Sequence, residues 1–270
     1  MNMVRMVVAD LVDESADLDI VASTLTALDW ATLTPAPGWT IAHQVAHLAW
    51  ADSLALMSIS DPAGFGRTIA GISDVPATIN RAANVGAAEP PDQLLERWRT
   101  GRNALATHLT AVDTDSRLPW LGPPMSPASM ASARLMETWA HGQDILDALG
   151  RKREPTARLR HIAHLGVTAR RYAFATNSLP VPTDDVRVEL SYAQDVWTWG
   201  ADSADNRVTG TAQDFCLLVT QRRNRADLDV VADGPVADAW LDITQAFAGP
   251  PGEGRPPRRA LRSPEPMESR

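Results

Sequence analysis

The first two thirds of this 270-residue chain consist of stretches in which apolar side chains recur at helical spacing. These stretches cover about residues 8–33, 40–58, 91–109, 126–149 and 155–177. Segments rich in proline and glycine separate them, and the longest, about residues 60–90, is predicted to be a loop. Because each apolar stripe must be buried against another element, the pattern predicts a helical bundle.

The pattern changes after residue 178, where short segments of strand character begin. The segments VRVEL, VWTWG, NRVTG and DLDVVADG are predicted strands, and TAQDFCLLVTQRR and PVADAWLDITQAF are predicted helices. The fold class is therefore predicted as α plus α+β, with a helical bundle over 1–178 and a small α+β domain over 179–249. Residues 250–270 have the proline, glycine and charge content of a disordered tail.

Composition and charge exclude several classes of protein. A net charge of −8 argues against nucleic-acid binding, which needs a basic surface. No stretch reaches the roughly 18 apolar residues of a membrane span, and acidic residues come too early for a secretory signal. The single cysteine, Cys216, cannot form an internal disulfide, so we expect a cytoplasmic protein. Its apolar neighbours in FCLLV favour a buried core thiol over a nucleophile.

Three residues in two predicted helices suggest a metal site. Glu137 and His141 are four positions apart, so they lie on one face of the fourth helix. His47 lies in the second helix, which is apolar on two faces and should therefore be buried on both sides. Two imidazoles and a carboxylate suit a divalent metal with an open position, as in catalytic sites. Zinc, nickel, manganese and iron all accept such a set.

Periodicity alone leaves a simpler interpretation open. Arg134, Glu137, His141 and Asp144 share one face of the fourth helix, as they would in an amphipathic helix with a charged face toward solvent. His47 would then be an ordinary bundle histidine, with its ring nitrogens bound by backbone groups or water.

The wider pattern favours the metal site. The segment PGWTIAHQVAHLAW, followed about 90 residues later by ETWAHGQDIL, resembles the DinB-like metal-binding superfamily, in particular the branch that contains mycothiol-dependent maleylpyruvate isomerase. The resemblance covers about residues 8–248, and it includes a sterol-carrier-like C-terminal domain. The residues that match the family's motifs are Trp39-Thr40, His47-Leu48, Glu137, His141 and Asp144.

The resemblance implies a role for the matching residues. His47, Glu137 and His141 fall on the family's metal ligands, and the metal is usually zinc. Asp144 is expected to accept a hydrogen bond that fixes the tautomer of His141. The family also implies mycothiol as a thiol co-substrate. Only one of the 25 basic residues, Lys152, is a lysine, which indicates a high-GC genome and agrees with the actinobacteria that make mycothiol.

Five further residues are candidates for the binding of substrate or thiol. Arg222 falls near a family arginine that reaches towards the substrate pocket, and Arg223 competes for the same position. His43, one turn before the predicted ligand of the second helix, is a proton shuttle, an extra ligand or a core residue. Trp50 is a candidate for the pocket mouth, and Arg102 is either a carboxylate-binding residue or a surface arginine.

We therefore predict an enzyme that uses a divalent metal and a mycothiol-like thiol to isomerise or S-conjugate a small electrophile. Two alternatives stay open at this point. One is a metal-dependent natural-product or detoxification enzyme that does not use mycothiol. The other is a non-catalytic protein that binds metal or lipid. The wide apolar faces of the helices also permit a homodimer.

Overall fold

The computed structural model describes residues 2–247 and 249–258. The chain divides into two compact units between Glu154 and Pro155. The first unit is helical, and the second combines helices with a four-stranded sheet, which confirms the predicted fold class. None of the described helices has the length and hydropathy that a bilayer-spanning segment needs.

Long helices enclose the core of the first unit. Its helices are α1 (Met3–Ala22), α2 (Ala27–Trp30), α3 (Ile41–Ser60), α4 (Pro62–Ala70), α5 (Val75–Ala87), α6 (Pro91–Ala111) and α7 (Pro127–Ala148). The helices α1 and α3 each pack against both α6 and α7. Leu48 of α3, Trp98 of α6 and Leu135 of α7 are fully buried in this arrangement. The apolar faces of the four long helices, α1, α3, α6 and α7, are therefore buried against one another, as the periodicity predicts.

The segment predicted as a loop, residues 60–90, contains α4 and α5 instead. Asp61 and Asp74 cap these helices, since each side chain accepts a hydrogen bond from the backbone N–H three residues later. A proline follows each cap within the first turn, where its missing N–H costs nothing. The helix α5 packs against α3, and a Cβ on Gly86 would lie only 2.7 Å from Cβ of Ala46.

The second unit is a sheet with helices packed on it. Its elements are α8 (Leu159–Thr168), α9 (Arg170–Thr176), β1 (Val186–Tyr192), β2 (Asp195–Trp199), β3 (Asn206–Thr211), α10 (Ala212–Val219), β4 (Val230–Asp233) and α11 (Pro235–Ile243). The strand order is β2-β1-β3-β4, and only the pair β1 and β3 is parallel within it. The helix α10 packs on β1 and β3, where Val188, Leu190 and Val208 are fully buried.

The division between the units lies earlier than the predicted boundary at residue 178. The helix α8 packs against α10, and α9 packs against α11. The buried thiol of Cys216 also donates a hydrogen bond to the carbonyl of Leu159. An apolar stripe over 155–177 predicts a buried helix, but it does not identify the surface that covers it.

The predicted disordered tail, residues 250–270, lies only partly within the described residues. Residues 250–257 of this tail contain neither helix nor strand and belong to the second unit. There the side-chain amide of Asn224 donates a hydrogen bond to the carbonyl of Arg255 at 2.7 Å. The remainder, residues 259–270, lies outside the described residues.

Candidate metal centre

His47, Glu137 and His141 meet at one point in the first unit. Nε2 of His141 lies 3.1 Å and Nε2 of His47 lies 3.7 Å from Oε2 of Glu137. One donor atom from each residue lies within 4.8 Å of the others, and no second group of this kind occurs in the described part of the chain. Atoms that bind one zinc ion are separated by roughly 3–4 Å. The chemistry and spacing of these residues therefore fit a divalent cation.

The helices α3 and α7 carry the cluster and pack against each other. The face of α7 that supplies Glu137 and His141 is buried, since Arg134 and Asp144 on that face are 2% and 1% exposed. The interpretation of this face as a charged surface toward solvent is therefore wrong. The side chain of Glu137 is 25% exposed, so the cluster is open on one side.

A buried ion pair joins the same two helices. Nε of Arg134 on α7 donates to Oδ1 of Asp52 on α3 at 2.9 Å, and both side chains are almost completely buried. A buried arginine is costly unless an acid pairs with it. Asp52 therefore allows Arg134 to occupy the position one turn before Glu137.

Glu137 is ionised at neutral pH. Burial opposes its ionisation, but hydrogen bonds with His141 and His47 outweigh this effect. With the additional charge of His141 and of Arg134, they hold the pKa of Glu137 well below its ordinary value. A carboxylate that stays charged between two imidazoles is the form that attracts a cation.

A hydrogen-bonded chain holds the ring of His141. Nδ1 of His141 lies 2.5 Å from Oε1 of Gln44, and Nε2 of Gln44 donates to Oγ1 of Thr34 at 2.7 Å. The hydroxyl of Thr34 in turn donates to the carbonyl of Trp39 at 2.9 Å. Gln44 thus makes the contact that the sequence assigns to Asp144. Its position on α3, one turn before a predicted ligand, is the signal that could have identified it.

His43 is occupied by hydrogen bonds of its own. The backbone N–H of Thr40 donates to Nδ1 of His43 at 3.2 Å, so Nε2 carries the proton and donates to Oδ1 of Asn84 at 3.0 Å. Because Thr40 is the N-cap of α3, His43 completes this cap and links α3 to α5. Of the three roles considered for His43, the structural one is favoured.

Two tryptophans flank His47. The ring centroids of Trp39 and Trp50 lie 5.5 and 6.0 Å from that of His47. Trp39 also stacks on His141 at 6.0 Å, and its indole N–H donates to Asn80 of α5. Both indoles are partly exposed, so they offer apolar surface beside the cluster. Trp50 is among the predicted pocket residues, whereas Trp39 was recognised only as part of a motif.

Arg102 has a carboxylate partner within the protein. Its guanidinium donates to Asp19 and to the carbonyl of Ser15, both on α1, and lies 4.3 Å above the ring of Trp98. These contacts join α6 to α1. A structural role for Arg102 is therefore favoured over the binding of a substrate carboxylate.

The helical unit matches the family model described as the mycothiol maleylpyruvate isomerase N-terminal domain, over residues 11–146. The chain belongs to this family. The matched residues span about half of the chain and include both helices that carry the cluster. The resemblance inferred from the sequence motifs is thereby confirmed.

The second unit is covered by longer matches. Two uncharacterized proteins of Mycobacterium tuberculosis, from strains CDC 1551 and H37Rv, are each 54% identical to this chain over 250 residues. The match covers 92% of this chain and 97% of each relative.

Two solved structures share the fold. They are crystal structures of mycothiol-dependent maleylpyruvate isomerase and of its variant with one histidine replaced by alanine, with TM-scores of 0.58 and 0.57. Each is 12% identical, and each match covers 88% of this chain and 96% of the other. At this identity the likeness shows the fold alone.

Arg222 and Arg223 lie in the second unit, just after α10, and outside the residues that the family model matches. Nη1 of Arg222 donates to the carbonyl of Thr220 at 2.6 Å, and Nη1 of Arg223 donates to the carbonyl of Arg222 at 2.7 Å. Both side chains are partly exposed. Their role in the binding of substrate or thiol stays a prediction.

Proposed function

We propose that the protein is a metal-dependent enzyme that uses a low-molecular-weight thiol of the mycothiol type to isomerise or S-conjugate a small electrophile. The observation that carries this proposal is the convergence of His47, Glu137 and His141 on one point that is open on one side. Membership of the mycothiol maleylpyruvate isomerase family supports the choice of thiol.

The three residues of the cluster would hold the cation, and zinc is the ion that we favour. When bound, a divalent ion with an open position lowers the pKa of a thiol, which then ionises at neutral pH. Glu137 supplies the only negative charge of the cluster, and His47 and His141 would bind the ion as neutral imidazoles and release any additional ring proton. A dication held by them keeps a net charge of about +1, which favours an anionic thiolate over a neutral ligand.

The side chains around the cluster provide a surface for the electrophile. Trp39 and Trp50 present partly exposed indoles next to His47, and such surfaces exclude water and hold apolar groups. Separately from these contacts, the family resemblance implies that Arg222 or Arg223 of the second unit orients an anionic part of the substrate or thiol through a forked hydrogen bond.

The chemistry is nucleophilic addition to an activated double bond. The sulfur forms a C–S bond, and the π electrons move onto the conjugated carbonyl group of the substrate. Rotation about the new single bond, followed by loss of the same sulfur, returns the thiol and gives the geometric isomer. Where the adduct takes up a proton instead, the product is a stable S-conjugate.

The open side of the cluster favours an enzyme over a protein with a structural metal. Structural zinc sites are usually closed by four protein ligands, whereas catalytic sites keep a position free. Within residues 2–247 and 249–258, His47, Glu137 and His141 have no fourth His, Cys, Asp or Glu in their group.

Turnover of thiol and electrophile by the zinc-loaded protein tests the proposal. Mycothiol would be supplied with maleylpyruvate or a panel of α,β-unsaturated acids, and thiol consumption and substrate absorbance would be followed. We expect thiol-dependent turnover that Glu137→Gln reduces at least about 100-fold. A matched variant of an exposed glutamate on α6, Glu96→Gln, should leave turnover unchanged.

Two results would contradict the proposal. Equal turnover by Glu137→Gln and the unsubstituted protein would show that the cluster takes no part in the reaction. Turnover that needs metal but no thiol would instead favour the enzyme that does not use mycothiol.

A further inference from the structure

A buried glutamine contacts the candidate metal centre from the protein interior. Gln44 is fully buried, and both ends of its amide have a partner. Its oxygen lies 2.5 Å from Nδ1 of His141, and its nitrogen lies 2.7 Å from Oγ1 of Thr34. A buried amide satisfied at both ends is held in a single orientation.

The carbonyl of Trp39, at the end of this series of hydrogen bonds, determines which group donates in each of them. The carbonyl of Trp39 has no proton, so the hydroxyl of Thr34 must donate to it. That hydroxyl has one proton, and it must therefore accept from Gln44. The NH2 group of Gln44 then faces Thr34, and its carbonyl oxygen faces His141. Because this oxygen can only accept, Nδ1 of His141 carries the ring proton.

The position of this proton decides what His141 presents to the cluster. In the neutral ring with Nδ1 protonated, Nε2 directs its lone pair toward Oε2 of Glu137, 3.1 Å away. A carboxylate oxygen and an imidazole lone pair both accept hydrogen bonds, so their approach requires either a second ring proton, as in an imidazolium, or a metal cation in its place. The opposite tautomer would let His141 donate to Glu137 and would occupy the nitrogen that a metal needs.

We propose that Gln44 is a positioning residue that holds His141 in the tautomer able to bind a metal ion; this inference rests on the proposed metal centre. The backbone carbonyl of Trp39 anchors the arrangement through Thr34. Unlike the carboxylate expected at Asp144, the amide of Gln44 adds no charge next to the imidazole. Glu137 then remains the single negative charge among the groups that would contact a bound cation, and the cation would keep its preference for an anionic ligand.

Cobalt affinity of the full-length protein tests this role. Co²⁺ would be titrated into the metal-free protein, and binding would be measured by competition with a chromophoric chelator and by the d–d absorption. We expect Gln44→Leu to weaken Co²⁺ binding about 10–100-fold, the usual effect of losing a partner of a metal-bound histidine. The matched variant Gln143→Leu removes a buried glutamine of α7 that bonds Asp147, and it should stay within about threefold of the unsubstituted protein.

A conservative variant separates positioning from folding. Gln44→Glu keeps an acceptor toward Nδ1 of His141, so we expect its Co²⁺ affinity to equal or exceed that of the unsubstituted protein. This result supports the proposal even if Gln44→Leu does not fold. A Gln44→Glu affinity at least about tenfold weaker, or equal affinities of folded Gln44→Leu and the unsubstituted protein, would overturn the proposal.

The tautomer can also be observed without metal. Long-range proton–nitrogen spectra of the metal-free protein, recorded at a pH where the ring of His141 is neutral, should show a protonated Nδ1, and this signature should be lost in Gln44→Leu. A proton on Nε2 alone would overturn the role of Gln44. If the unsubstituted protein binds no Co²⁺, the metal centre itself is wrong. The two failures are therefore distinguishable.

Discussion

Nε2 of His141 and Oε2 of Glu137 lie 3.1 Å apart across one turn of α7. The contact is local, because residues four apart on a helix lie side by side. The third member, His47, reaches the same oxygen from α3 at 3.7 Å. Two of the three proposed ligands are thus placed by helix geometry alone, and the third is placed by the packing of α3 on α7. Stability of that packing should therefore matter for the centre.

The buried ion pair between α3 and α7 predicts a large loss of stability. Arg134→Met should lower the free energy of unfolding of the helical unit by about 3–5 kcal/mol, because Asp52 would stay buried without its partner. The double variant with Asp52→Leu should recover most of this loss. Chemical denaturation followed by circular dichroism measures both, and Arg81→Met serves as an exposed control. An unchanged midpoint for Arg134→Met would show that the pair is not buried in solution.

The carboxylate of Asp19 predicts a pH-dependent contribution to stability. Burial opposes its ionisation, but hydrogen bonds from Arg99 and Ser23 and the charge of Arg102 lower its pKa below the ordinary value. A pKa that is lower in the folded state stabilises the protein above the unfolded-state pKa near 4, and this stabilisation is lost as the pH falls through the folded-state value.

The substitution Asp19→Asn should therefore cost about 1–2 kcal/mol at neutral pH, a modest amount because the arginines are partly exposed. The difference between Asp19→Asn and the unsubstituted protein should shrink below about pH 4. Urea denaturation across this range measures it. A difference that stays constant with pH would contradict the assignment of the ion pair.

The thiol of Cys216 should be inert in the folded protein. Burial raises its pKa well above the ordinary value, although a backbone hydrogen bond at Ala163 acts in the opposite direction. Because the thiolate is the reactive form, a disulfide reagent should label no cysteine in native buffer and one per chain in concentrated guanidinium. Rapid stoichiometric labelling of the native protein would be inconsistent with a buried core thiol.

The choice between Arg222 and Arg223 can be decided by kinetics. Alanine at the residue that binds the anionic substrate or thiol should raise KM about 10–100-fold, the loss expected for a charge-assisted hydrogen bond. Alanine at the other residue should have little effect, and metal content should be unchanged in both. Arg225→Ala provides a comparison, since Arg225 pairs with Asp238 and Asp242. Unchanged KM in both variants would show that neither arginine binds the substrate or the thiol.

Sequence patterns predicted the elements better than the surfaces that they contact. The stripes predicted the long helices of the bundle, and alternation predicted β1, because both report local geometry. The single helix predicted over 155–177 is two helices, α8 and α9, and these pack against α10 and α11 of the second unit. The loop prediction at 60–90 failed because its prolines lie at helix starts, where they are compatible with helix, and aspartates cap those starts.

In the candidate site, too, contacts within one helix were predicted from the sequence, whereas most contacts between elements were not. Spacing on one helix predicted the contact of Glu137 with His141, and the two apolar faces of the second helix, together with a family motif, indicated His47. Spacing suggested Asp144 as a partner for His141, whereas the atom 2.5 Å from Nδ1 of His141 belongs to Gln44, which comes from another helix. Trp39 reaches the cluster from the loop before α3. Contacts across elements depend on helix packing and loop path, which neither periodicity nor spacing specifies.

The metal content of the protein tests the central claim most directly. Zinc would be measured by elemental analysis after dialysis against a weak chelator, for the unsubstituted protein, His47→Ala and the control His108→Ala, whose histidine lies exposed on α6. We predict about one zinc ion per chain for the unsubstituted protein and the control, and more than about 100-fold weaker binding by His47→Ala. Equal zinc in His47→Ala, or none in the unsubstituted protein, would contradict the claim.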